Sequence, residues 1–294
     1  MRTAAKRRLN LFLVLLFAVA AILILYIRGH KAEPVDPHAG QVYINDGFGM
    51  VWMTPLEGVE VNTLSPADFR TVNGRPQYVG DKYDTRCGID LSEHQRAIDW
   101  DKVAGEIDFA YIRVGYRGNT EGGLYEDNYF EANMHGAVSR GIDVGVYFYS
   151  QAINVKEAIE EAEFVLERIR NYPIALPVVY DWEKNAETEE GTRTEELDTS
   201  ILNDCAVAFC ETIKNAGYTP CVYFNRHLGY YGYDLSRLTD YEFWVAVPGD
   251  FPDFYYACDI WQFSFSAVIP GIETDMDMNM IFIPRETEPP EQSK

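Results

Sequence analysis

Two carboxylates follow a short apolar run in the middle of the chain. The residues 177–180 (Pro-Val-Val-Tyr) predict a buried strand, and Asp181 and Glu183 come directly after it. Side chains two positions apart on a strand share a face, so Asp181 and Glu183 project together while Trp182 turns away. Each acid opposes ionisation of the other, which favours one protonated and one ionised carboxyl. Such a pair cleaves glycosidic bonds, although an acidic loop after a strand is the simpler alternative.

The elements around this stretch alternate between strands and helices from residue 87 onward, which predicts parallel strand pairing. Strands are predicted at 88–92, 109–114, 144–149, 177–180, 221–224, 243–247, 260–263 and 276–279. Helices are predicted after the first five strands, at 100–104, 127–140, 155–171, 198–216 and 235–238. Gly141 and Gly217 end two of these helices. The pattern predicts an α/β fold, an irregular (β/α)5(β)3 TIM-like barrel.

Active sites of such barrels lie at the C-terminal ends of the strands. The side chains there that could bind or react with a ligand are Asp90, Ser92, Arg113, Tyr147, Tyr149, Asp181, Glu183, Tyr223, Asn225, Trp261, Gln262, Asp277 and Asn279. Acids among aromatic rings predict a sugar-binding cleft, because the rings stack on pyranose faces while the acids bind hydroxyls and transfer protons. Taken singly, strand aromatics are most often core residues, and a strand-end Asp often caps a helix. The prediction therefore depends on four acids converging on one rim.

Several motifs occur together in a characteristic order: Asp90-x-Ser92-x-x-Gln95, Ile98-Asp99-Trp100, Tyr111-Ile112-Arg113, Asn133…Ala137…Gly141…Val144-Gly145-x-Tyr147, Asp181-x-Glu183, Trp261-Gln262 and Asp277-x-Asn279. Together they resemble glycoside hydrolase family 25, the muramidases or Chalaropsis-type lysozymes, over about residues 87–283. The resemblance implies a barrel with five helices and three helix-free strands. It also implies hydrolysis of the β-1,4 bond between N-acetylmuramic acid and N-acetylglucosamine in peptidoglycan, with no metal or organic cofactor.

The resemblance also assigns roles to residues. Glu183 matches the proton donor, Asp181 the neighbouring carboxylate, and Asp90 and Asp277 the acids that line the same pocket. The predicted substrate-binding residues are Tyr147, Tyr149, Arg113, Tyr223, Asn225, Trp261 and Gln262. Phe148 departs from the family pattern, since many members have His there. We expect its side chain to point away from the face of Tyr147 and to affect packing only.

The attacking group remains open at this stage. Asp181 is two residues from Glu183 on the same strand, so it is poorly placed to reach the opposite face of the sugar. The 2-acetamido group of the substrate can attack instead, with Asp181 orienting it. Direct action of Asp90 or Asp277 is the alternative. Two other functions also stay open: a chitinase-like enzyme, whose usual run of alternating acids is replaced here by residues 177–180, and a catalytically inactive wall-binding or scaffold protein.

Charge and cysteine content exclude some classes of protein. Of the 25 basic residues, six lie in the first 31 positions, which contain no acidic residue. The rest of the chain contains 19 basic and 46 acidic residues, so its net charge is −27. Such a surface repels nucleic acid. The five cysteines form no Cys-x-x-Cys pair, which argues against a zinc site and favours buried free thiols. A monomer is expected.

The N-terminal region predicts an attachment to the membrane. Residues 11–27 form an uninterrupted apolar run after a basic segment, and no small-residue cleavage site follows. We expect a cytoplasmic basic tail (1–10), an uncleaved transmembrane signal anchor (11–27), a linker with a small β-rich or extended segment (28–86), the catalytic barrel (87–285) and a disordered tail (286–294). The excess of basic residues before the apolar run places the barrel outside the cell, at the cell membrane. A tethered muramidase suits remodelling of the cell's own wall.

Overall fold

The computed structural model describes residues 2–29, 36–184 and 191–285, with the side chains of its first helix described at positions 6 and 12–26. The chain divides into two units, residues 1–42 and 43–294. The first contains helix α1, Arg2–Gly29, which includes the predicted anchor. Within the described residues, no helix combines the length and apolar character needed to cross a membrane. Most of the predicted linker before residue 36, and the predicted disordered tail, lie outside the described residues.

Four short strands come next in the chain and form two small sheets, β1 (Val42–Asn45) with β2 (Met50–Met53) and β3 (Phe69–Val72) with β4 (Arg75–Tyr78). Between these two sheets, Val61 forms an isolated bridge with Tyr256. The segment packs on the barrel: the Phe69 ring lies edge-on to the rings of Trp261 and Phe282. It is therefore an accessory layer on the barrel wall.

Eight strands close the barrel: β5 (Tyr83–Leu91), β6 (Phe109–Arg117), β8 (Asp143–Ser150), β9 (Ile174–Trp182), β10 (Pro220–Asn225), β11 (Glu242–Ala246), β12 (Ile260–Ala267) and β13 (Met276–Pro284). A further strand, β7 (Leu124–Glu126), pairs with β6 outside the ring. Parallel pairing is confirmed from β5 to β12 but is wrong for β13, which runs antiparallel to β12 and β5. Only residues 268–275 join β12 to β13, too short a connection for the crossover that parallel pairing needs.

Four helices pack outside the barrel: α2 (Trp100–Val103), α3 (Phe130–Val138), α4 (Val155–Ile169) and α5 (Thr199–Asn215). After β10 the described chain has only short helical turns, Leu228–Gly232 and Leu235–Arg237. Gly141 and Gly217 follow α3 and α5 with φ of 71° and 91°, the left-handed conformation that ends a helix. Helix α3 starts three residues later than predicted because Asp127 turns inward to bind Arg113.

The core has two parts. One lies between the barrel wall and its covering, where Phe148 packs against Phe164 of α4, on the side away from Tyr147 as expected. The other fills the barrel interior and includes Phe109, Tyr111, Val179, Cys221, Trp244 and Ile260. Gly145 is required beside it, because a Cβ at that position would overlap the Tyr111 ring. All five cysteines are free thiols. These apolar layers close the barrel beneath its C-terminal mouth.

Candidate active site

The C-terminal mouth of the barrel holds a cavity of about 460 Å³. Its walls are Asp90, Leu91, Ser92, His94, Gln95, Arg113, Asn119, Tyr147, Tyr149, Asp181, Glu183, Tyr223, Trp244, Gln262 and Asp277. Strand β13 contributes from its first residues rather than its last, because it is antiparallel. Asp277 thereby pairs directly with Asp90 of β5. The reversal of the last strand brings the fourth acid to the same mouth as the other three.

All four predicted acids line this cavity, as do five of the seven predicted substrate-binding residues: Arg113, Tyr147, Tyr149, Tyr223 and Gln262. Trp261 and Asn225 do not. Gln262 points inward, so its neighbour Trp261 points outward, where its Nε1 donates to the carbonyl of Val247 at 2.8 Å. The Asn225 side chain accepts a hydrogen bond from the backbone N–H of Leu228 at 3.0 Å and so stabilises the next turn.

Five residues of the wall are not among the predicted site residues: Leu91, His94, Gln95, Asn119 and Trp244. Trp244 could have been found, because it alternates with Phe243 and Val245 on a predicted strand. Its partner across the β10–β11 pairing is Tyr223, which was predicted to face the site. Asn119 and His94 lie in loops, where no periodicity indicates a direction.

A chain of hydrogen bonds fixes the orientation of the amide beneath Asp90. The indole Nε1 of Trp244 can only donate, and it donates to Oδ1 of Asn279 at 2.8 Å. The Nδ2 of Asn279 must therefore face the other way, where it donates to Oδ2 of Asp90 at 2.8 Å. The buried Trp244 thus determines that Asn279 presents its NH₂ group, and not its oxygen, to Asp90.

A second chain of hydrogen bonds reaches the same oxygen. The hydroxyl of Tyr223 donates to Oε1 of Gln262 at 2.8 Å. The Nε2 of Gln262 then donates to Oδ2 of Asp90 at 2.8 Å and to Oδ2 of Asp277 at 3.3 Å. The amide of Gln262 consequently holds Asp90 and Asp277 together. Oδ2 of Asp90 accepts hydrogen bonds from two amides, those of Gln262 and Asn279.

Asp181 has a different environment. It is 6% exposed, and its Oδ1 has no hydrogen-bond partner among the described residues. Burial raises the pKa of Asp181 well above its ordinary value, and the charges of Glu183 and Asp90 raise it further. Burial also raises the pKa of Glu183, followed by the charge of Asp90. Burial, rather than the Asp181–Glu183 repulsion expected from the sequence, is the largest cause of both raised pKa values, and Asp90 supplies the charge that acts on Glu183.

The remaining two acids are also shifted. Burial raises the pKa of Asp90 to about 6, against the opposing effect of its hydrogen bonds from Asn279 and Gln262. Burial, with the charges of Asp90 and Glu183, raises the pKa of Asp277 to about 7. Four carboxyls with raised pKa values in one cavity can hold protons at a pH where exposed carboxyls are ionised. Such a site can both donate and accept protons.

Arg113 shapes the rim of the cavity. Its Nε donates to Oδ2 of Asp127 at 2.8 Å, and its Nη2 donates to Oε1 of Glu93 at 3.2 Å. Asp127 also accepts from the backbone N–H of Glu93 at 2.8 Å. The guanidinium therefore connects strand β6 to the turn after β5 as well as lining the cavity. The described part of the chain contains no cluster of three or more His, Cys, Asp or Glu side chains suited to a metal ion.

Comparison with known proteins shows which family has this fold and site. The family model Glycosyl hydrolases family 25 matches residues 89–272. The chain belongs to glycoside hydrolase family 25. This family 25 chain is 27% identical over 271 residues to lysozyme M1 of Streptomyces globisporus, covering 84% of the chain and 82% of the relative. It is 24% identical over 195 residues to an autolytic lysozyme of Clostridium acetobutylicum, covering 65% of the chain and 54% of the relative. The predicted lysozyme class is confirmed.

Solved structures show the same fold. The modular autolysin LytC of Streptococcus pneumoniae, in complex with synthetic peptidoglycan ligand, matches with a TM-score of 0.58 and 24% identity over 82% of this chain and 56% of that one. A family 25 glycosyl hydrolase of Bacillus anthracis matches with a TM-score of 0.54 and 21% identity, over 69% of this chain and 90% of that one. The family 25 chain thus spans just over half the length of LytC and of the Clostridium lysozyme.

Proposed function

We propose that the barrel is a muramidase, cleaving the β-1,4 bond between N-acetylmuramic acid and N-acetylglucosamine in peptidoglycan strands. The observation that carries the proposal is the convergence of Asp90, Asp181, Glu183 and Asp277 on one cavity, each with a raised pKa. Tyr147 and Tyr149, both partly exposed, also line that cavity and offer aromatic area to contact the sugars. Tyr223 and Trp244 line it too but are buried. Two lysozymes among the relatives and the peptidoglycan ligand of LytC support this substrate.

In the proposed mechanism Glu183 is the general acid. Its raised pKa keeps a proton available, and that proton passes to the glycosidic oxygen as the bond to the anomeric carbon breaks. The carbonyl oxygen of the substrate's 2-acetamido group supplies the electron pair that the anomeric carbon loses. Water then opens the resulting ring, and the carboxylate of Glu183 takes the proton that the water releases.

Asp181 is proposed to hold the acetamide in place. Its Oδ1 is buried and has no hydrogen-bond partner among the described residues, so it offers a desolvated acceptor to an amide N–H. As the acetamide oxygen attacks, its nitrogen becomes positively charged, and the carboxylate of Asp181 stabilises that charge more strongly in a buried site than in water. Asp90 and Asp277 are held together by Gln262 and maintain the electrostatic environment of Glu183.

We further propose that the protein is a single-pass membrane protein with its N-terminus in the cytoplasm and its barrel outside, acting on the cell's own wall. The support is the apolar run at residues 11–27, preceded by four basic residues. Fractionation of cells, with N-terminal sequencing of the recovered protein, tests this arrangement. Full-length protein in the membrane fraction is expected. A form shed into the medium without its N-terminal segment argues against it.

The activity is tested by incubating the full-length protein with purified peptidoglycan, in parallel with Glu183→Gln, and identifying reduced products by mass spectrometry. New muramic acid reducing ends that the variant does not produce are the expected result. New N-acetylglucosamine ends would instead assign the other glycosidic bond, as in a chitinase-like enzyme. Tight wall binding by both proteins without cleavage would establish the inactive scaffold.

A further inference from the structure

Gln151 follows the last residue of β8 and is not among the residues that line the cavity. It is fully buried, and its Nε2 donates to the backbone carbonyls of Ser150 at 2.8 Å and of Glu183 at 3.3 Å. The last register pair between β8 and β9 joins Ser150 to Trp182, so Glu183 lies one residue beyond the strand pairing. The hydrogen bond from Gln151 therefore extends the support of the sheet to the backbone of the acid.

Thr194 determines which way the amide of Gln151 faces. Both backbone partners of Gln151 are carbonyl oxygens, which require the NH₂ group on their side and leave Oε1 on the other. The hydroxyl of Thr194 donates to that Oε1 at 2.7 Å. Thr194 is 2% exposed and belongs to the loop that leads from Glu183 to α5. The loop that follows the acid thus returns to fix the group that supports it.

The neighbouring Arg193 attaches the same loop to helix α4 and to the loop after β6. Its Nη2 donates to Oε1 of Glu157 on α4 at 2.7 Å. Its backbone N–H donates to the carbonyl of Asn119, which lines the cavity from the loop after β6, at 2.9 Å. The described end of the loop, next to Thr194, is therefore held from both sides. This explains how a side chain on a loop can serve as a fixed point for Gln151.

We propose that Gln151 and Thr194 are positioning residues for Glu183, holding its backbone so that its carboxyl meets the glycosidic oxygen. The proposal rests on the proposed role of Glu183 as general acid. Neither residue belongs to the described cavity wall, so neither contributes a contact that substrate binding needs. Removing the hydrogen-bonding group of either residue therefore lowers kcat and leaves KM nearly unchanged, because displacing Glu183 slows the chemical step and not substrate binding.

The test compares Thr194→Val, which removes the hydroxyl at constant shape, with Thr194→Ser, which keeps it, in the full-length protein. We expect Thr194→Val to lower kcat on peptidoglycan about 10-fold or more. Thr194→Ser should have the kcat of wild type, because it keeps the hydroxyl. Gln151→Met removes the amide at similar volume and should match Thr194→Val. The control is Thr212→Val, which removes a hydroxyl that donates to the carbonyl of Ala208 within α5 and should leave kcat unchanged.

A second readout does not require activity. The carboxyl of Glu183, labelled with carbon-13 and assigned by its absence in Glu183→Gln, is titrated by NMR in wild type and Thr194→Val. We expect the two titration curves to differ, because a shifted backbone changes the distance between Glu183 and Asp90. If wild type does not cleave peptidoglycan, the proposed function fails while this titration still tests positioning. Equal titration curves and equal kcat values would overturn the positioning role, as would an equal loss of kcat in Thr212→Val.

Discussion

The barrel carries acidic side chains at both of its mouths. At the C-terminal mouth are the four acids of the cavity; at the N-terminal mouth are Glu242, at the start of β11, and Asp259, just before β12. Burial raises the pKa of Glu242 to about 7, with a smaller effect from the charge of Asp259. Burial is also the largest cause of the raised pKa of Asp259. In having acids with raised pKa values, the two ends of the barrel are alike.

Their hydrogen bonding differs. Asp259 accepts from the backbone N–H of Phe243 at 2.8 Å and so holds the starts of two strands together. At the other mouth, Asp90 is held by side-chain amides of fixed orientation, while Asp181 keeps a buried oxygen without a described partner. A raised pKa therefore reports burial. What distinguishes the C-terminal mouth is a buried carboxyl oxygen without a described partner, beside a second carboxyl that side-chain amides hold in place.

Glu183→Gln should produce the largest difference between the two mouths. Because the amide cannot donate a proton to the leaving oxygen, we expect the rate of reducing-end release from peptidoglycan to fall by about 10²–10⁴-fold. The matched variant at the other mouth, Glu242→Gln, should keep the rate within about 2-fold of wild type. Comparable losses in both variants would remove the distinction between the ends.

Asp181→Asn should change activity and stability in opposite directions. We expect kcat to fall by about 10²-fold, because the amide cannot stabilise the charge that develops on the acetamide. At pH 8 the melting temperature should rise by a few degrees, because the variant no longer has to ionise a buried carboxyl. At pH 4, where Asp181 is protonated, the gain should vanish. Calorimetry at the two pH values checks this, and a lower melting temperature at pH 8 contradicts it.

The pH dependence of stability should carry contributions from both mouths. A carboxyl whose pKa is higher in the folded protein binds protons more tightly there, so its contribution is present below the unfolded pKa and is lost as pH rises through the folded value. For Asp277 and Glu242, both raised to about 7, this window runs from about pH 4 to pH 7. We expect Asp277→Asn and Glu242→Gln each to flatten the decline of unfolding free energy in urea titrations across that window. An unchanged slope would contradict the raised values.

Two tryptophans on adjacent strands give the smallest expected effect. Trp244→Phe removes the donor that orients Asn279, so we expect kcat to fall about 5-fold. Trp261→Phe removes a hydrogen bond to Val247 on the outer side of the barrel, so it should lower the melting temperature while preserving kcat. Steady-state kinetics and thermal melts of both variants separate the two. A loss of kcat in Trp261→Phe alone would restore the sequence prediction for that residue.

The barrel and most of its site follow from local patterns in the chain. Alternation along β9 directs Asp181 and Glu183 to one side, and the same period on the other strands predicts Tyr147, Tyr223 and Gln262 correctly as cavity residues. Periodicity fails at Asn225, the last residue of β10, whose side chain binds the next turn instead, and in loops such as the one that holds Asn119. The prediction for Trp261 is wrong for another reason: it names Trp261 together with its neighbour Gln262, although alternation lets only one of two adjacent strand residues face the cavity.

The sequence by itself determined the family, the order of strands and helices, and the set of acids, because these depend on residue types and on spacing within each element. Tertiary structure decided the rest. It reversed β13, so that Asp277 meets Asp90; it connected Trp244 to Asp90 through Asn279; and it brought Thr194 back to Gln151. These contacts join residues far apart in sequence, and only closure of the barrel brings them within hydrogen-bonding distance.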